Sequence, residues 1–166
     1  MLLITDISIN DLAKDSGWPM LLAAYADESS IDEMPVYCPD LVTYSNLEFA
    51  GVFKIFAAYS TSETCPSLAL EDKATFDDKL IGFISCLASQ NPHYSCKIGT
   101  IESFFVDKAY RHTGAGLILL NEAIRHFKET DCKGLFISAP IEGQLASVLS
   151  KIKSFNQTNQ VYFKAL

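Results

Sequence analysis

A glycine-containing turn between an apolar run and an amphipathic segment is the feature that most limits how this chain folds. In the stretch FVDKAYRHTGAG, residues 105–116, a strand-like run ends and Arg111, Gly114 and Gly116 follow in the spacing Arg-x-x-Gly-x-Gly. A helix start exposes up to four unpaired backbone N–H groups and the positive end of the helix dipole. Glycine also lets a ligand approach the backbone closely. The turn therefore predicts a phosphate or similar anion site, although glycines at such a junction can equally be simple turn residues.

Two other phosphate-binding patterns fit the turn less well. A P-loop places a lysine directly after its last glycine, whereas Leu117 follows Gly116 here. A dinucleotide-binding fingerprint needs a third glycine at a position that Leu119 occupies.

The hydrophobic pattern on either side of the turn predicts a mixed α/β fold with a central sheet. The predicted strands are LLITDI, FKIFAAYS, KLIGFISCLA, IGTIESFFV, GLFISAP and a closing QVYFKAL. Ser8, with Asp11 three residues later, predicts a helix N-cap, and Pro19 opens a second helix. Residues 29–52 carry no decisive pattern. The chain has no linker or repeat, so its 166 residues predict one domain, 1–166.

Two later segments have a helical stripe of apolar residues. The first segment, LILLNEAIRHFKE, has a stripe of Leu117, Leu120, Ile124 and Phe127. The second segment, GQLASVLSKIK, has a stripe of Leu145, Val148, Leu149 and Ile152.

Charge divides unevenly along the chain. Residues 1–96 hold 14 acidic and 4 basic side chains, and residues 97–166 hold 6 and 9, so balances of −10 and +3 give the net −7. Two interpretations fit this charge asymmetry. Acidic loops could simply keep the protein soluble. Alternatively, a polyanionic ligand binds the C-terminal half and a cationic ligand faces the N-terminal half. The sequence contains no basic stripe of the kind that binds nucleic acid, so we expect no nucleic-acid partner.

Other sequence features limit the class of protein. No apolar run approaches the roughly 20 residues that span a bilayer, and the N-terminus resembles a strand more than a signal peptide, so we expect a cytoplasmic protein without a membrane partner. The 5 cysteines include no C-x-x-C pair. This number and spacing argue against a disulfide framework and a zinc site, and we expect no bound metal.

The residues FFVDKAYRHTGAGLILL resemble the signature of the GNAT superfamily of N-acetyltransferases, in which an apolar strand leads into Arg/Gln-x-x-Gly-x-Gly/Ala at a helix start. The resemblance covers roughly the whole chain and is most specific over residues 98–127. NPHY and VYFKAL further resemble the short GNAT proteins of tailed bacteriophages, which would place the protein in a host cytoplasm.

The resemblance implies a GNAT fold, with helices on both faces of the sheet and two neighbouring parallel strands that splay apart around acetyl-coenzyme A. It implies that the backbone of Phe104 and Val106 pairs with pantetheine. It also implies that the amides of the turn hold the pyrophosphate. The turn residues are Arg111, His112, Thr113, Gly114, Ala115 and Gly116.

Glu102 is the candidate general base, because it interrupts the otherwise apolar run IGTIESFFV. An amine attacks a thioester only when neutral, whereas a lysine-type ammonium has a pKa near 10.4. The resemblance aligns Glu102 with a glutamate that some GNAT enzymes use as a base, directly or through water. Glu102 could instead line a wet cleft edge and pair with a cation.

The sequence offers alternatives for the general acid. The resemblance places Ser150 where many family members have an acid tyrosine, which leaves Tyr162 or water for that role. Tyr162 is also typical of a strand core residue. His93 could be a base or a substrate contact, but a loop-ordering role fits it better. We expect His112 to act through its backbone and His126 to face solvent or the helix end.

The sequence thus predicts an acyltransferase that moves an acetyl group from acetyl-coenzyme A to a primary amine. The acidic N-terminal half favours a basic acceptor, either a small polyamine-like molecule or a lysine or N-terminal amine of a protein, and a homodimer is compatible with the sequence. The alternative is a GNAT-fold binding module without catalysis, for example a phage protein that engages a host factor. Phosphoryl transfer fits poorly without a P-loop or a metal-carboxylate pair.

Overall fold

A computed structural model describes residues 1–29, 38–61, 78–140, 143–159, 161, 162 and 164 of the chain. Its strands are β1 (Leu2–Asp6), β2 (Phe53–Ser60), β3 (Lys79–Asn91), β4 (Cys96–Val106) and β5 (Leu135–Ile137). Its helices are α1 (Ile9–Leu12), α2 (Trp18–Ser29), α3 (Leu41–Phe49), α4 (Ala115–Glu129) and α5 (Gln144–Leu149). The mixed α/β class predicted from the sequence is confirmed.

The five strands form one mixed sheet in the order β1-β2-β3-β4-β5. The first four pair antiparallel, and β5 joins β4 in parallel. Residues 80–86 of β3 are all buried because helices cover both faces of the sheet. This two-sided burial explains why KLIGFISCLA is a continuous apolar run instead of an alternating one.

Helix α4 covers one face of the sheet. It buries Ala115, Leu119, Leu120, Ala123 and Phe127. The predicted stripe was wrong at Leu117, which is 55% exposed. At about 100° per residue, Leu117 is rotated roughly 120° from the centre of the buried face. The small side chains of Ala115 and Ala123 let the helix approach the strands, a contact that a search for large apolar residues overlooks.

Helices α1, α2 and α3 cover the opposite face. The Ser8 N-cap is confirmed, since its hydroxyl oxygen accepts the Asp11 amide at 3.1 Å. Pro19 is the second residue of α2, within the first turn, where its missing N–H costs no helical hydrogen bond. Helix α3 lies in the segment that had no decisive pattern. It contains no buried residue, and its N-cap is Asp40.

The C-terminal part differs from the prediction in two respects. In α5, Leu149 is buried as the predicted apolar stripe requires, but Val148 of the same stripe is 41% exposed. The predicted closing strand is absent from its described residues, because Val161 and Tyr162 belong to no strand and are each 85% exposed. The rest of that prediction, and residues 62–77 of the polar connection before β3, lie outside the described residues. None of the described helices is both long and apolar enough to cross a membrane.

Candidate active site

The glycine turn forms as predicted, between β4 and α4. Asp107 caps a short 3₁₀ helix, Lys108–Thr113, and Gly114 then adopts the left-handed conformation with φ 85° at the N-cap of α4. Glycine suits this φ because it has no Cβ to clash with the backbone. Gly114 offers no side-chain cap to the first amides of α4. The Thr113 hydroxyl accepts the Ala115 amide at 3.4 Å. The later amides of the first turn point from the helix start as donors for an anion.

The side chain of Arg111 is engaged within the protein. Its Nε donates to the Val106 carbonyl at 2.9 Å, and its Nη2 donates to both carboxylate oxygens of Glu28 at 2.7 and 2.8 Å. The guanidinium also lies over the Phe105 ring, 5.5 Å from its centroid. The positive charge of Arg111 is thus paired with Glu28 on α2. The turn offers an anion mainly its backbone.

Strands β4 and β5 separate just before the turn. Their parallel pairing runs from Gly99 with Leu135 to Ile101 with Ile137, whereas β4 continues to Val106. The Asp107 amide donates to Ile81 on β3. Because alternate residues of a strand direct their backbone groups to opposite edges, those of Phe104 and Val106 face away from β3. This edge has no strand partner among the described residues.

Glu102 is the extra residue of a β-bulge. Ser85 on β3 opposes Ser103 and Cys86 opposes Ile101, which leaves Glu102 without a counterpart. A bulge re-aims side chains locally. Here it directs Glu102 and Ser103 to the sheet face covered by α1, α2 and α3, where both line the same cavity.

Three hydroxyl groups donate to the Glu102 carboxylate. Tyr44 on α3 donates to Oε1 at 2.9 Å, while Ser85 and Ser103 donate to Oε2 at 2.8 and 2.7 Å. Ser103 in turn accepts the hydroxyl of Tyr25 at 3.1 Å. Glu102 itself is exposed. The carboxylate is therefore fixed in orientation while remaining accessible to a ligand.

An open cleft of about 360 Å³ lies at Glu102. Its lining residues are Cys38, Pro39, Asp40, Thr43, Tyr44, Leu87 and Glu102. The charged members of this set, Asp40 and Glu102, are both acidic. A second cavity of about 20 Å³, which also borders Tyr44, Ser85 and Ser103, has room for one water molecule.

The other predicted residues lie outside this arrangement. His93 is in the turn between β3 and β4, where its amide donates to Asn91. Strand β4 begins after this turn at Cys96. Cys96 is six residues from Glu102, which is about 20 Å along a strand at the usual rise per residue. Tyr162 is 85% exposed and is not among the lining residues of the cleft. Ser150 ends α5, and its hydroxyl donates to the Ser147 carbonyl.

The remaining two histidines also differ in their surroundings. His112 is exposed in the 3₁₀ turn. His126 lies in the last turn of α4, and its partly buried ring packs against Phe56, with the ring centroids 6.0 Å apart. Burial lowers the pKa of His126, and nearby Lys54 lowers it further.

The sequence analysis missed Tyr44, Ser85, Ser103 and Tyr25. A signal existed for the two serines, since each is a polar residue inside a run of apolar strand residues and both are buried. Tyr44 and Tyr25 carry no such signal, because only the packing of α2 and α3 on the sheet brings their hydroxyls to the bulge. In the described part of the chain, no group of three or more His, Cys, Asp or Glu side chains could hold a metal ion.

The sequence profile of the Acetyltransferase (GNAT) family matches residues 34–148. No curated protein sequence matches the chain. Solved structures do. The aminoglycoside acetyltransferase meta-AAC0020 from an uncultured soil metagenomic sample, in complex with sisomicin, is 19% identical with a TM-score of 0.65, over 98% of this chain and 95% of that one.

Two further structures show the same likeness. A ribosomal-protein-alanine N-acetyltransferase from Brucella melitensis biovar Abortus 2308 is 15% identical with a TM-score of 0.64, over 99% of each chain. AAC(6')-Iy in complex with the bisubstrate analog CoA-S-monomethyl-acetylneamine is 16% identical with a TM-score of 0.65, over 99% of this chain and 97% of that one. At such identities the likeness concerns the fold.

Proposed function

Because the chain belongs to the Acetyltransferase (GNAT) family, we propose that it is an acyltransferase that moves the acetyl group of acetyl-coenzyme A to a primary amine. One observation carries the proposal. Glu102, a carboxylate held by three hydroxyls, faces a cleft directly before the part of β4 whose outer edge has no partner among the described residues. A base and an extended ligand edge are therefore adjacent.

The glycine turn fits a pyrophosphate. A Cβ built on Gly114 meets no atom within 4 Å, and one on Gly116 meets the Phe104 ring at 3.5 Å. The backbone at Gly114 is open to a ligand, whereas a Cβ on Gly116 would be in ordinary van der Waals contact with Phe104 and Val106. The helix start favours negative charge. We assign the pyrophosphate to the amides of residues 111–116. In this assignment Arg111 remains paired with Glu28, and this ion pair stabilises the turn.

The open edge of β4 fits pantetheine. The Val106 carbonyl already accepts from Arg111, so the groups left for an extended ligand are the Phe104 N–H and C=O and the Val106 N–H. These groups can hydrogen bond to the amides of pantetheine as a neighbouring strand would. Acetyl-coenzyme A supplies the activated thioester.

Glu102 acts as the base in this proposal. Its carboxylate takes a proton from the incoming ammonium, either directly or through a water in the adjacent cavity of about 20 Å³. A positioned base contributes about 10²- to 10⁴-fold to the rate. Tyr162 or a water then protonates the leaving thiolate.

The acceptor we propose is a basic amine, either a small molecule or a lysine or N-terminal amine of a protein. Asp40 and Glu102 are the charged residues of the cleft lining, and both attract a cation. Two of the similar proteins named above are an aminoglycoside acetyltransferase and a ribosomal-protein-alanine N-acetyltransferase, and both names agree with an amine acceptor.

Coenzyme A release tests this function. The protein is incubated with acetyl-coenzyme A and a panel of polyamines, aminoglycosides and lysine-containing peptides, and free thiol is measured. We expect amine-dependent release together with an acetylated product of the expected mass. Binding of acetyl-coenzyme A without release on any member of the panel would contradict the proposal.

That contrary result would favour the second candidate, a GNAT-fold binding module, for example a phage protein that engages a host factor. Ser150 supports this candidate. By the family resemblance it stands where many members have an acid tyrosine, and its hydroxyl donates to the Ser147 carbonyl, so it is a poor proton donor for a thiolate.

A further inference from the structure

We infer that Tyr44 is a positioning residue, which fixes the orientation of Glu102 and so sets the single direction from which an amine can reach the base. This inference rests on the function proposed above. It concerns a residue of α3, outside the strand, turn and helix that carry the cofactor site.

Tyr44 is itself held rigidly. Its ring packs against Phe53 of β2 with centroids 4.9 Å apart. Helix α3 is tied to α1 at two points, because the Asn10 side chain donates to Ser45 at 3.1 Å and the Ile9 amide donates to Glu48 at 3.4 Å. The Tyr44 hydroxyl is therefore held in place by the packing of α3. It restrains Glu102 instead of moving with the Glu102 side chain.

A count of lone pairs shows what Tyr44 controls. An ionised carboxylate offers about four acceptor positions, two on each oxygen. Ser85 and Ser103 occupy both positions on Oε2, and Tyr44 occupies one on Oε1. Among contacts within the described chain, one position on Oε1 is left for a substrate N–H. The Tyr44 hydroxyl decides which of the two positions this is.

The serines have a different task. The Ser85 hydroxyl also accepts the Ser103 amide at 3.0 Å, so this pair maintains the bulge itself. Both serines are buried. Tyr44 borders the open cleft with Glu102. Loss of its hydroxyl should therefore leave the sheet intact and free a second acceptor position at the surface where the amine binds.

Tyr44→Phe tests the inference, because it keeps the ring against Phe53 and removes only the hydroxyl. Tyr59→Phe is the matched control. The Tyr59 hydroxyl also donates to a carboxylate, that of Asp15, at 3.0 Å, but neither residue lines the cleft. The control thus removes the same atom and the same kind of hydrogen bond elsewhere in the protein.

We expect Tyr44→Phe to lower kcat/KM for the amine by about 10- to 100-fold, as for loss of a hydrogen bond to a charged group. The KM for acetyl-coenzyme A should stay the same, and the fall should persist across the pH range in which wild type is active. Tyr59→Phe should retain the wild-type kcat/KM. Equal kcat/KM for Tyr44→Phe and wild type would overturn the inference.

A second measurement does not depend on turnover. Crystal structures of wild type and Tyr44→Phe should show one Glu102 position in wild type and several, or a displaced one, in the variant, with the serine pair unchanged. A Glu102 side chain in the same single position in both would overturn the positioning role. If wild type turns over no amine, the proposed function fails, and this comparison still decides whether Tyr44 positions Glu102.

Discussion

At the scale of single residues, Gly114 and Gly116 allow different experiments. Gly114 has φ 85°, so any side chain there strains the backbone as well as filling space. Gly116 lies inside α4, and the nearest atom to an added Cβ is 3.5 Å away. A change at Gly116 therefore separates ligand binding from folding more cleanly.

Gly116→Val should weaken coenzyme A binding at least about tenfold, because its branched side chain would occupy space assigned to the pyrophosphate. The melting temperature should change little, since valine has a helix propensity no worse than that of glycine. Calorimetry and thermal melting measure both. Affinity unchanged in the folded variant would remove the pyrophosphate from this turn.

The lowered pKa of His126 predicts a dependence of stability on pH. Burial resists protonation in the folded state, helped by Lys54 and Arg125 and opposed by Glu129 and Asp6. The unfolded chain binds the proton near its ordinary pKa of about 6.5. Below that pH the unfolded state takes up more protons, so this contribution to stability is present above about 6.5 and is lost as pH falls.

His126→Gln removes this contribution. The free energy of unfolding of wild type, relative to that of the variant, should therefore decline as pH falls from about 7.5 to about 5. Urea denaturation at several pH values measures it. Two stability curves that stay parallel over this range would show that His126 does not resist protonation.

At the scale of helices and strands, one close contact determines how α4 lies on β4. A Cβ built on Gly99 would come within 2.6 Å of the Phe127 ring. Gly99→Ala should therefore destabilise the protein by about 1–3 kcal/mol through overpacking. The double variant Gly99→Ala with Phe127→Leu should recover part of the loss. Chemical denaturation provides the measurement, and a stable Gly99→Ala protein would contradict the packing described.

The helices and strands also show how much of the fold the sequence could predict. Strands β2 and β3 were found because their buried apolar residues are nearly continuous. Strand β4 was found because Ile, Phe and Val recur along it. Helix α3 was not, because it buries no residue of its own and its hydrophobic pattern is weak. The Glu102 bulge also could not be foreseen. The bulge depends on Ser85 of the neighbouring strand, and the third hydroxyl that binds Glu102 comes from Tyr44, 58 positions away in the chain.

At the scale of the whole molecule, α2 connects the two halves of the proposed site. Tyr25 donates to Ser103 beside the base, and Glu28, one turn later, binds Arg111 at the glycine turn. Both partners of the Glu28–Arg111 pair are partly exposed, at 29% and 23% of the side chain, which limits its energy.

Glu28→Gln should weaken acetyl-coenzyme A binding about 2- to 5-fold, because the turn loses this ion pair, and leave the amine KM unchanged. Glu122→Gln is the matched control, since it breaks the Arg125–Glu122 pair on the exposed side of α4. Steady-state kinetics of both variants provides the comparison. Equal effects of the two changes on acetyl-coenzyme A binding would show that the Glu28–Arg111 pair does not specifically stabilise the turn.

The pH dependence of kcat for wild type and Glu102→Gln tests the central claim most directly. Glutamine keeps the shape of the side chain and removes its basicity, so kcat at neutral pH should fall about 10²- to 10⁴-fold with acetyl-coenzyme A affinity unchanged. The rate of the variant should recover as the pH approaches the pKa of the acceptor amine, near 10.4 for a lysine-type amine, because neutral amine then needs no base. A variant that turns over at the wild-type rate at neutral pH would show that Glu102 is not the base.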